Sequence, residues 1–262
     1  LQVVADARSK QRRKLKTAME KPDLSIIIPT FNEEENLPWL LESIKIQTGV
    51  AYEIIVADNS SRDNTRKIAR SFGARVVSGG LPSAARNRGA LSAKGDLILF
   101  LDADVILPAS DFLAQTIEEF EEKKMDIATC RVIPISEKII DKLFHRAYNA
   151  YLKTVRPIIA RAPGFCIFVR KSVHKKINGF DETVVLAEDH DYARRASKIS
   201  KFGILKSYPI IVSVRRFDRD GRLRIAVKYL LCEAYMMVKG PVRSDIFKYR
   251  FGHEKVNSPH NG

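Results

Sequence analysis

Two aspartates one residue apart, Asp102 and Asp104, follow directly on the apolar run Leu97-Ile98-Leu99-Phe100-Leu101. Two carboxylates at the end of a buried strand repel each other and lose hydration. A divalent cation relieves that conflict. Hard ions such as Mg²⁺ and Mn²⁺ take oxygen ligands, often one or two carboxylates plus substrate phosphates. Asp102-Ala103-Asp104 therefore reads as a seat for a metal–diphosphate, although the tripeptide alone is equally a solvated Asp-rich turn. A second acidic group, Glu188-Asp189-His190-Asp191, opens an expected helix. A carboxylate there can take a proton from a hydroxyl. It can also simply complement the positive end of the helix.

The elements that must position these groups are legible in the first half of the chain. Leu24 to Ile28 is a short β-branched run ending at Pro29, and Tyr52 to Ala57 is a second strand ending at Asp58. Arg75 to Ser78 is a third, and the run before Asp102 a fourth. Helical spacing falls between them: Leu37, Leu40, Leu41 and Ile44, then a helix from Asp63 or Asn64, then one from Ser83 to about Ser92. Thr30 with Glu33 three residues later is a capping-box pattern. Alternation of strand and helix implies a parallel sheet, and ligands of such sheets bind beyond the carboxyl ends of the strands. Thr30, Asp58 and Asp102 all fall at such ends. The second half is less regular. It has helices over Asp111–Lys124 and from Glu137 to about Val155. A strand from Gly164 to Val169 precedes the acidic helix, and a strand over Ile204–Val214 contains Pro209. A final helix runs from Arg222 to Lys239.

The chain has 262 residues, 45% of them apolar, and a net charge of +14. It is long enough for one large α/β domain with an appendage. The positive charge favours anionic partners such as phosphorylated substrates or acidic lipid headgroups. No zinc finger or RNA-binding module accompanies it, so nucleic acid is not an expected partner. Three widely spaced cysteines indicate neither a disulfide framework nor a zinc site. No apolar run is long enough to span a membrane. The basic start lacks the apolar core of a secretory signal, so a cytoplasmic location is expected.

Six segments in order resemble the family-2 glycosyltransferases: Ser25 to Glu33, Ile54 to Ser61, Ala85 to Gly89 with Gly95-Asp96, Asp102 to Asp104, Asn178 to Glu182, and Glu188-Asp189. The resemblance covers roughly residues 24 to 217. It implies the GT-A fold, a Rossmann-like mixed α/β sheet flanked by helices, and a nucleotide-sugar donor. By this resemblance Pro29, Thr30, Phe31 and Glu33 form the loop that holds the nucleotide. Asp58 reads the base, since a carboxylate can accept the N–H edge of uracil or guanine. Arg86 and Asn87 fall in a segment lining the nucleotide, where Arg86 could pair with phosphate. Asp102 and Ala103 lie against the ribose or the metal's waters, and Asp104 ligates Mn²⁺ or Mg²⁺. No third metal ligand is evident; His190 and His253 are candidates. Asp189 is the expected catalytic base, Glu188 orients it or binds acceptor, and Asp191 is the fallback. One base and one displacement imply inversion. Gly164 and Phe165 occupy the acceptor-side loop.

Arg215-Arg216-Phe217 stands where processive relatives such as cellulose and hyaluronan synthases carry Gln-x-x-Arg-Trp, and Arg215 or Arg216 could reach the diphosphate. The departure favours transfer of one sugar over polymerisation. The expected organisation is a basic arm over 1–22, the transferase domain over 23–217 and an amphipathic helix with tail over 218–262. Basic flanks suit that helix to an anionic bilayer, on the inner face of a membrane, where a lipid-linked or cell-envelope glycan acceptor would sit. Packing on the core is the alternative. Two other readings compete: a nucleotidyltransferase, which would need a phosphate loop that residues 29–36 do not provide, and a non-catalytic module for phosphorylated lipids or glycans.

Overall fold

The computed structural model describes residues 21–155, 159–244 and 246. All but two residues of the expected basic arm, and His253, lie outside them. The described residues form an eight-stranded mixed sheet: β1 (Leu24–Thr30), β2 (Tyr52–Asp58), β3 (Arg75–Ser78), β4 (Leu97–Leu101), β5 (Val105–Ile106), β6 (Ile127–Ile135), β7 (Cys166–Arg170) and β8 (Phe202–Ser213). Their order is β3-β2-β1-β4-β7-β6-β8-β5. The first four pair in parallel. β7 runs against both β4 and β6, so the parallel sheet read from the first half becomes mixed in the second.

The helices are α1 (Leu37–Lys45), α2 (Thr65–Ser71), α3 (Pro82–Ser92), α4 (Phe112–Glu122), α5 (Ile139–Val155), α6 (Lys171–Lys176), α7 (Glu188–Ser197), α8 (Arg215–Asp220) and α9 (Arg222–Lys239). Alternation along the strands divides the core into two layers. Ile26, Ile28, Leu99 and Leu101 face one layer with Leu37, Leu41, Phe112 and Phe120 of α1 and α4. Ile27, Ile98 and Phe100 face the other with Tyr192, Ala193 and Ala196 of α7. Each such isoleucine, leucine or phenylalanine removed from water contributes about 1.5–3 kcal/mol. Burial on both faces explains why β1 and β4 read as unbroken apolar runs.

Pro209 is accommodated by an irregularity. The β6–β8 register shifts between Cys130 and Arg131, where the partner jumps from Leu205 to Pro209. The antiparallel pairing of β7 brings Cys166 beside Leu101, so the loop before β7 arrives at the edge where β1, β2 and β4 end. Ser213 N–H donates to Asp104 O at 3.0 Å, which brings the end of β8 to the same place.

Candidate active site

Thr30 and Asp58 end neighbouring strands in register. Thr30 Oγ1 donates to Asp58 Oδ2 at 2.9 Å. From the following turn Ser61 donates its backbone N–H to Oδ1 at 2.9 Å and its hydroxyl to Oδ2 at 2.5 Å. Three donors fix this buried carboxylate and leave about one of its roughly four acceptor positions for something else. The capping box expected from Thr30 and Glu33 does not form. Thr30 is the last residue of β1 and turns to Asp58, while α1 begins only at Leu37. Phe31 is half-buried in the turn after β1.

Glu33 instead reaches across the edge. Arg215, the first residue of α8, places both terminal nitrogens on the Glu33 carboxylate at 2.8 Å and its Nε on Asp104 Oδ2 at 2.9 Å. Burial pushes Asp104 up to about 6; Arg215 opposes this, and Asp102 and Glu33 add to it. Ala103 between the two aspartates is buried in the core.

Arg86 is the second bridge. It lies on α3, only 3% exposed, and donates to Glu188 Oε1 and Asp102 Oδ1, both at 2.7 Å. The guanidinium thus ties the strand-end aspartate pair to the acidic start of α7, 102 positions away in sequence. Burial pushes the Glu188 carboxyl up, Arg86 pulls it down and Asp189 pushes it up again; the net is a raised value. Arg86 Nε has no hydrogen-bond partner, and it is the only buried side-chain polar atom in that condition among the described residues. Asn87 does not face this edge. It donates to Phe180 O and accepts from Phe180 N–H, fixing the Asn178–Phe180 turn to α3. Arg88 is exposed and donates to Gly79 O.

Asp189 accepts two backbone N–H groups, from Gly164 at 2.6 Å on Oδ2 and from His190 at 2.8 Å on Oδ1. Gly164 matters here for a reason the sequence did not show. A Cβ on it would stand 2.6 Å from an Arg86 terminal nitrogen, so any larger residue would push the Arg86 guanidinium from its place. Phe165 beside it is half-buried against the core. Asp191, the fallback base, is buried and paired with Arg194 and Arg195, pointing away from this role. His190 is held by Glu233 at 2.6 Å, so it is engaged elsewhere than at the aspartate pair.

Among the described residues no group of three or more His, Cys, Asp or Glu side chains converges as a metal cage. The aspartate pair nonetheless fits a hard cation that draws its remaining ligands from phosphate and water. Asp104 is a buried carboxylate raised by two acidic neighbours, and a cation at its oxygens would lower that energy. Arg215 and Arg86 were missed as bridges. Their partners lie 182 and 111, and 102 and 16, positions away, and no local pattern signals such pairs.

The model of glycosyl transferase family 2 matches residues 25–178, more than half of the 262. The chain belongs to that family. Among its relatives, the O-antigen chain rhamnosyltransferase RfbN of Salmonella typhimurium is 27% identical over 183 residues, 63% of this chain and 58% of the relative. Across the curated relatives, the matched stretch covers about 29% to 60% of their own lengths. Two solved structures share the GT-A fold. The mannosyltransferase PcManGT of Pyrobaculum calidifontis, in complex with GDP-Man and Mn²⁺, superposes with a TM-score of 0.65 at 18% identity, covering 84% of this chain and 64% of that one. TarS 1–349 of S. aureus, in complex with UDP, gives 0.61 at 20% identity over 73% and 60%.

Proposed function

We propose that this family-2 chain is the catalytic domain of a metal-dependent, inverting enzyme that moves one sugar from a uridine- or guanosine-diphosphate sugar to an acceptor hydroxyl. The observation that carries the reading is the double bridge. Arg215 joins Glu33 to Asp104, and Arg86 joins Asp102 to Glu188 beside Asp189. Groups that a nucleotide, a diphosphate and an acceptor would each require are thereby linked along one sheet edge.

In this reading Asp58, locked by Thr30 and Ser61, accepts an N–H of the base. Asp104, with Asp102 beside it, would hold Mg²⁺ or Mn²⁺, which as a Lewis acid offsets charge on the leaving diphosphate. The partnerless Arg86 Nε suits an anionic oxygen. Asp189 takes the acceptor proton as the hydroxyl attacks the anomeric carbon, through the oxocarbenium-like transition state of glycosyl transfer. Its two backbone donors hold the carboxylate in one geometry.

The acceptor side favours a lipid-linked or cell-envelope glycan at an anionic membrane surface. α9 buries only Ile225 and Cys232, while Leu223, Leu230, Leu231 and Val238 are exposed. Arg224, Lys228 and Lys239 accompany them, a composition suited to the bilayer interface. No helix among the described residues is long and apolar enough to cross a membrane.

The test is turnover of UDP- and GDP-sugars with Mn²⁺, scored as transfer or as slow hydrolysis. Activity that disappears in Asp104→Ala, with the melting temperature retained, supports the reading. Activity that persists in that variant contradicts a metal seat at Asp104, whereas a folded parent protein with no turnover of any of these donors favours a non-catalytic glycan- or lipid-binding role.

A further inference from the structure

We propose that His190 and Glu233 are positioning residues for Asp189, so that α9 is a working part of the active site rather than an appended helix. The inference rests on the reading in which Asp189 is the base.

The geometry runs through one short chain of contacts. Asp189 Oδ1 is held by the backbone N–H of His190. The side chain of the same residue, His190, is itself fixed by contacts from two other helices. Its Nδ1 lies 2.6 Å from Glu233 Oε1, and its Nε2 lies 3.4 Å from the Tyr148 hydroxyl of α5. Glu233 is on α9, 43 positions further along the chain. Its other oxygen accepts from the Tyr151 hydroxyl at 2.9 Å and from the Arg161 guanidinium at 3.1–3.2 Å. Arg161 is itself buried. Two helices, α5 and α9, therefore converge on the residue next to the base, Tyr151 and Arg161 brace Glu233 in turn, and both oxygens of the Glu233 carboxylate are used. Burial works against a charged His190 ring, but Asp189 and Glu233 together raise its pKa above the ordinary value, which strengthens the contact.

A second, apolar contact acts on the same stretch. Cys232, the neighbour of Glu233, packs with Leu186 and Val242. Leu186 pairs with Val242 as an isolated bridge, and Val185 N–H donates to Val242 O at 2.8 Å. Between this anchor and Glu188 stands Ala187, a non-glycine residue in the left-handed region at φ 57°. Such a conformation persists only where the surroundings impose it. The polar clamp at His190 and the apolar clamp at Leu186 lie on either side of it. Together they set the direction in which Glu188 and Asp189 leave the loop. Displacing a catalytic group by about 1 Å can lower a rate about 100-fold, so this clamp has catalytic consequences although neither residue touches the acceptor.

The test combines kinetics with amide exchange on the full chain. His190→Leu should lower kcat about 10- to 100-fold at unchanged donor KM. Glu233→Gln should act in the same direction, and the double variant should fall no further than the worse single, because both break one chain of contacts. His190→Gln, whose amide can still donate to Glu233, should recover most of the loss. Independently of turnover, His190→Leu should reduce exchange protection of the Gly164 amide, which binds Asp189, while the amides of Leu97–Leu101 stay protected. A folded His190→Leu with kcat within about threefold of the parent, or with Gly164 protection unchanged, overturns the proposal. If His190→Leu does not fold, Tyr151→Phe removes one donor from Glu233 and decides the matter by the same two readouts. A parent protein without turnover refutes the transfer reading instead, and the exchange result then stands alone for or against the clamp.

Discussion

Asp104 should make the protein less stable than it could be, and the amount can be worked out. Burial holds its proton up to about 6, against an ordinary 3.8, even with Arg215 beside it. Between those two values the folded state binds more protons than the unfolded chain. Stability must therefore fall as pH rises through that window, and the penalty is complete above about 6 and absent below about 4. At about 1.4 kcal/mol per pH unit the penalty at pH 7.5 is on the order of 3 kcal/mol. Asp104→Asn abolishes the titration and keeps an oxygen for Arg215 Nε. It should stabilise the metal-free protein by about 1–3 kcal/mol at pH 7.5, a rise of roughly 2–10 °C for a chain this long. Thermal unfolding of both proteins in chelator from pH 4.5 to 8 is the assay, and the gain should fade towards the acid end. Mn²⁺ with a nucleoside diphosphate should then raise the melting temperature of the parent and not of the variant. A variant less stable than the parent at pH 7.5, or a difference that does not change with pH, would refute the reasoning.

Other substitutions read different parts of the site. Asp58→Asn loses a charge-assisted acceptor for the base and should weaken nucleotide binding about 10- to 100-fold in calorimetry, with little change in fold. Arg86→Met leaves Asp102 and Glu188 facing each other without a cation, which should destabilise by about 3–5 kcal/mol in urea unfolding. Because Glu188 already titrates above its ordinary value, that loss should shrink as pH falls towards 5; a loss independent of pH would argue against carboxylate repulsion. Asp189→Asn should lower kcat about 10²- to 10⁴-fold while nucleotide affinity is kept, and an equal loss in affinity would place the residue in binding rather than proton transfer.

Much of the fold was readable because β1, β2 and β4 are buried on both faces and their apolar runs end sharply at Thr30, Asp58 and Asp102. The family segments fall at those ends, which is why the candidate residues were found together. What the sequence hid were pairings between distant elements. Thr30 and Glu33 have capping-box spacing, but a residue that finishes a strand cannot also cap a helix that starts seven positions later. Arg215 looked like a departure from a processive motif, and its bidentate hold on Glu33 depends on β8 arriving beside β5. The two-residue strand β5 and the single-turn helix α8 are too short to show a period. Glu233 sits within a helix whose exposed apolar residues dominate its pattern, so its contact with His190 left no local trace. Nor does the sequence show that Arg222 grips the buried Asp141 at 2.6 and 2.9 Å, since the two lie 81 positions apart.

The most direct measurement is calorimetric titration of UDP and of GDP into the protein with Mn²⁺, repeated with chelator and with Asp104→Ala. The account requires one of the two nucleotides to bind with at least millimolar affinity in the presence of the ion, and the heat to vanish in both controls. A folded parent protein that binds neither nucleotide at several millimolar, or binds equally well without Asp104, would contradict it.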